Sequence, residues 1–115
     1  MDERLEKALA FSQFRATIEN RRIAIRRRFE SMLMVHHDNG MFRADATTIS
    51  FIDTLIQAGN EDAVLVDEKY NPIEVKSLTE LKDKLVNAYF EATNEYMSEV
   101  KSLAKARDVK KAMNW

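Results

Sequence analysis

Between residues 2 and 35 the apolar residues Phe11, Phe14, Ile18, Ile25, Phe29 and Met32 recur at steps of three, four and seven. That is the period of one face of a helix. The segment contains neither glycine nor proline, so the pattern predicts an unbroken helix over about 2–35. Asp2, Glu3 and Glu6 stand at its start, where the helix dipole favours negative charge. His36 and His37 stand at its end, and Asp38, Asn39 and Gly40 then read as a C-terminal stop. A second stripe runs through Leu78, Leu81, Leu85, Tyr89, Ala92, Tyr96, Val100 and Leu103 and predicts a helix over about 77–108. It opens with Ser-Leu-Thr-Glu, a capping box in which Ser77 serves the N–H of Glu80. Fraying is expected after Arg107, where the stripe ends.

The chain has only two glycines and one proline, and all three lie in the middle. Turns are therefore concentrated there. Met41–Ala44 reads as a short strand. Asp45 caps a helix over about 46–58 that turns Ile49, Ile52, Leu55 and Ile56 inward, and Gly59 ends it. The runs 63–66 and 73–75, on either side of Asp-Glu-Lys-Tyr-Asn-Pro, predict a hairpin with a loop longer than two residues. The expected fold is α+β and mostly α: two long antiparallel helices with a short helix and a small β-hairpin between them. It forms a single domain over 1–115, a helical stalk from both termini and a small α/β head at about 38–76.

Apolar residues off the stripes extend this picture. Leu5, Leu9, Ile23 and Met34 lie on another side of the first helix, and Val86, Phe90 and Met97 on another side of the last. A two-helix stalk cannot bury two faces of each helix by itself, so the pattern predicts a homodimer, a four-helix bundle or coiled coil, the alternative being a monomer whose head folds back over the stalk.

Charge narrows the classes. Of 115 residues 18 are basic and 19 acidic, for a formal charge of −1. A dedicated nucleic-acid binder is usually basic overall. With no cysteine, disulfides, thiolate catalysis and cysteine-ligated metals are excluded. No apolar run is long enough to cross a bilayer, and the first residues do not resemble a signal peptide. A cytoplasmic protein is expected.

Five arginines crowd into Arg21–Phe29, RRIAIRRRF. On a helical wheel they split: Arg21 and Arg28 flank the apolar stripe on one side, and Arg15, Arg22 and Arg26 on the other. Arg27 points away. Stems placed beside an apolar seam cover it while their charges stay in water. On the last helix Glu91, Glu95 and Glu99 form a ladder of like charge that calls for a basic neighbour. An antiparallel register sets Glu99 near Arg15 and Glu91 near Arg22, within the chain or across a dimer. The alternative use of Arg15, Arg22, Arg26 and Arg27 is contact with nucleic acid.

Catalytic chemistry finds little support. His36 and His37 are adjacent and diverge on a helix, so they make a poor metal pair. No serine has a nucleophile-elbow context, and two glycines cannot build a phosphate loop. Asp53 reads as the polar side of a short amphipathic helix more readily than as a general base. Tyr89, Phe90 and Tyr96 could stack on bases, but the helical spacing of Tyr89 and Tyr96 makes them seam residues. No enzyme activity, cofactor or metal is expected.

The runs FSQFRATIENRR, NGMFRADATTISFIDTLI, VLVDEKYNPIEV and YFEATNEYM together resemble small uncharacterised proteins of T-even-type marine bacteriophages. The resemblance spans most of the chain and implies an accessory, assembly or virion-associated role in the host cytoplasm, with no functional residue attached. Similar sequences prefer glycine in the hairpin loop, where this chain has Tyr70-Asn71. The function expected is that of a non-enzymatic interaction or assembly protein with an unknown protein partner. The alternative is a nucleic-acid accessory protein.

Overall fold

The computed structural model describes residues 2–112, with side chains through Asp108. Its elements are α1 (Glu3–Met32), β1 (Met34–His37), β2 (Gly40–Arg43), α2 (Ala46–Gln57), β3 (Ala63–Val66), β4 (Pro72–Val75) and α3 (Leu78–Ala112). The fold is α+β and mostly α, with long first and third helices. Two compact units divide it, residues 2–28 with 94–112 and, separately, Phe29–Thr93. They are called here the terminal and the central unit.

In the terminal unit α1 and α3 run antiparallel. Asp2 starts α1, accepting from the N–H of Arg4 on its side chain and from that of Glu6 on its carbonyl, both at 3.1 Å. Ile18, Ile25 and Leu103 are buried together, with Phe14 packed against them. Among the described residues these three are the buried core of the unit.

The first helix stops at Met32, three residues short of the expected end, because Met34–His37 belongs to a strand. β1 and β2 form an antiparallel hairpin in which Met34 faces Arg43 and His37 faces Gly40. Asp38 (φ 48°) and Asn39 (φ 66°) are both left-handed and make the two-residue turn. Asp and Asn tolerate this region better than other non-glycine residues, as a type I′ hairpin requires. The same tolerance serves a helix stop, so the local sequence allowed both readings. Gly40 lies in the strand, and its role is steric. A Cβ there would fall 2.8 Å from Ile73 Cγ1 and from Phe42 Cε2.

The middle helix forms as its caps require. Asp45 accepts from the N–H of Thr48 at 2.8 Å, and Gly59 (φ 94°) follows its last turn. Ile52 is fully buried, and Ile49, Leu55 and Ile56 pack beside it. β3 and β4 pair with Leu65 opposite Ile73 and Ala63 opposite Val75. Leu65, Ile73 and Val75 point inward, while Val64 and Val66 are exposed. Ser77 Oγ accepts from the N–H of Glu80 at 3.2 Å, so the capping-box serine acts as expected. α3 then runs to Ala112, beyond the expected 108, through a Lys- and Ala-rich stretch of good helix formers. Its buried residues Leu78, Leu81, Leu85 and Ala92 complete a core with Leu33, Phe42 and Ala44.

Asp67 ties the two hairpins together. Its buried carboxylate accepts from three backbone N–H groups, Met41 at 3.0 Å, Lys69 at 3.0 Å and Asn71 at 2.9 Å. The N–H of Glu68 in turn donates to the Met41 carbonyl at 2.9 Å. These bonds hold the Asp67 carboxyl below its ordinary pKa, those from Asn71 and Met41 most strongly. No pattern of apolar residues marks this group, and the sequence reading passed over it.

Candidate functional site

Arg15 and Arg22 line one groove of the terminal unit, and Arg21 and Arg28 line another. Arg28, on the Arg21 side, pairs with Glu99. Glu99 was expected beside Arg15. The helices are therefore offset from the register assumed from sequence, which set the end of α1 level with the start of α3. Arg22 is 3.5 Å from Glu19 on its own helix, with both side chains at least half exposed. Arg15 stands 5.8 Å over the ring of Phe11. Arg26, Arg27, Glu91 and Glu95 are exposed and form no ion pair among the described residues.

Arg15 and Arg22 line a groove of about 450 Å³ in the terminal unit together with Arg107. Its apolar wall is Phe11, Phe14 and Ile18, and Glu19 is its one carboxylate among the described residues. Arg107 was missed as a contributor. The signal was available, since it follows Leu103 by four residues and Val100 by seven, on the same side of the helix.

A second groove, of about 480 Å³, lies in the central unit. Ile49 of α2 and Val86, Tyr89 and Phe90 of α3 line it, with Asp53 and Lys82 at its edge. Phe90 is 58% exposed, and its ring meets that of Tyr89 edge-on at 6.2 Å. Val86 and Phe90 had been placed off the main stripe, and the groove is where that second face comes to the surface. Tyr89 and Tyr96, expected in the seam, each keep over a third of their surface exposed and so lie at its margin.

The residues considered for chemistry have structural occupations. Lys82 Nζ lies 2.7 Å from Asp53 Oδ1, and this hydrogen bond is the main cause that holds the Asp53 carboxyl below its ordinary pKa. A carboxylate so stabilised is a poorer base. His36 and His37 are on a strand rather than a helix end, and alternate between its faces: His36 is exposed and His37 buried. Lys84 Nζ is 3.0 Å from His37 Nδ1. An ammonium group can only donate, which makes Nδ1 the acceptor and leaves the ring proton on Nε2, 3.5 Å from Asp38. Among the described residues no group of three or more His, Cys, Asp or Glu side chains could hold a metal ion, and no helix is long and apolar enough to cross a membrane. No family model matches the chain, and no curated protein or solved structure matches it either.

Proposed function

We propose that the protein is a non-enzymatic interaction or assembly protein that acts as a homodimer through the groove of its central unit. The exposure of Phe90 beside that groove carries the reading: a large apolar side chain stands next to an apolar hollow of Ile49, Val86 and Tyr89. Such a surface is self-complementary about a two-fold axis, with the Phe90 of each copy seated in the other. The Asp53–Lys82 edge fits the same symmetry, because each copy sets its carboxylate against the other's ammonium group. A phage accessory or assembly role, the setting implied by the sequence resemblance, suits a small interaction protein of this kind.

Light scattering across a dilution series tests the proposal. The wild-type chain is expected at twice its own mass, and Phe90→Glu at the mass of one chain with an unchanged circular dichroism spectrum. A single-chain mass for the wild type at every concentration would refute it.

The second reading, a nucleic-acid accessory protein, draws on the convergence of Arg15, Arg22 and Arg107. Its mark is retardation of DNA or RNA with a steep salt dependence, lost when Arg15 and Arg22 become alanine. No retention at low salt excludes it.

A further inference from the structure

We propose that the arginine-lined groove of the terminal unit binds an acidic amphipathic helix supplied by another protein. The groove presents three guanidinium groups against one carboxylate, although the chain as a whole carries a charge of −1. Glu19 offsets little of this, since its contact with Arg22 is long and solvent-screened. Phe11, Phe14 and Ile18 supply an apolar wall beneath the charges. The Arg15 guanidinium lies over the Phe11 ring at 5.8 Å, within cation–π range, and its N–H edges remain for a carboxylate.

Spacing narrows the ligand further. Arg15 and Arg22 are seven residues apart, about 10.5 Å along the helix. A partner helix with carboxylates at the same interval, beside a stripe of leucine or similar residues, meets both charges while its apolar face covers the wall. Nucleic acid fits less well. Its backbone needs a continuous basic track, and the Phe11 face on which a base could stack already has Arg15 over it.

The proposal rests on the reading of the chain as an interaction protein, but not on its self-association. The test uses the full chain and the fluorescence anisotropy of a labelled synthetic helix with a leucine face and glutamates at seven-residue spacing. Binding is expected to weaken as salt is raised, and to weaken by about tenfold or more in Arg15→Glu/Arg22→Glu. Lys101→Glu, the same charge change at an exposed site of this unit outside the groove, is expected to bind as the wild type does. No binding of the peptide, or equal binding by the arginine variant, would overturn the proposal. Single-stranded DNA bound in preference to the peptide, and lost in the same variant, would overturn it in favour of nucleic acid. Loss of the dimer mass in that variant, with no peptide bound by the wild type, would make the occupant a second copy. Phe90→Glu tests the other groove independently, so the two proposals can fail separately.

Discussion

Asp67 accepts the backbone N–H of Met41 at 3.0 Å across 26 positions of sequence, and this bond joins one hairpin to the loop of the other. The same carboxylate holds Lys69 and Asn71, so a single side chain fixes both its own loop and the edge of β2.

The Asp67 bonds set a pH dependence. A carboxyl whose pKa is lower in the folded than in the unfolded chain adds stability above the unfolded value, about 4. That stability is lost as pH falls from there toward the folded value. Urea midpoints are expected to drop on acidification in the wild type, and to drop less in Asp67→Asn, which starts from a lower stability at neutral pH. Asp53 titrates in the same direction through Lys82. Its half-buried ion pair is screened by salt more than the buried Asp67 bonds are, so added salt distinguishes the two contributions.

Gly40→Ala places a methyl group 2.8 Å from both Ile73 and Phe42. An overpacked core site of this kind costs about 1–3 kcal/mol. Ile73→Ala removes the opposing Cγ1, so the two substitutions together are expected to cost less than the sum of their separate costs. Denaturant melts of the two single variants and the double variant measure that coupling.

Tyr70 is 88% exposed at φ 61°, a left-handed conformation that is strained for a bulky residue. Relieving it gains about 1–2 kcal/mol, and the added freedom of glycine in the unfolded chain takes back about 0.5–1 kcal/mol. Tyr70→Gly is therefore expected to raise the thermal midpoint modestly. Tyr70→Ala, with the same backbone strain, is expected to leave it nearly unchanged.

Leu85 is fully buried, whereas the side chains of Arg22 and Glu19 are 50% and 60% exposed. Leu85→Ala is expected to cost about 2–5 kcal/mol by leaving a cavity, and Arg22→Ala about 0–1 kcal/mol despite its contact with Glu19. Urea unfolding of the two variants checks the contrast.

What could be read in the sequence was what repeats locally. The stripes through Ile18 and Ile25 and through Leu78, Leu81 and Leu85 have the helical period. The caps at Asp45 and Ser77 and the stop at Gly59 act within one turn of their own helix. The two flanks of arginine follow from the same period, as does the placing of Val86 and Phe90 off the main stripe. None of this depends on what lies far away in the chain.

Partner choice and register were left to tertiary structure. Met34–His37 leaves the helix because Gly40–Arg43 pairs with it, a gain that helical periodicity does not register. Glu99 meets Arg28 and not Arg15, because the offset of two helices is set by side-chain packing along their whole contact. Arg107 comes beside Arg15 and Arg22 for the same reason. The sequence by itself determined which segments are helical, where they begin and which faces are apolar, since those are short-range properties of backbone and side chain. Only the tertiary structure decided that Asp67 would bind Met41, that Gly40 must have no side chain and that three arginines would line one groove. Each of these depends on the distance between residues far apart in the chain, which only packing fixes.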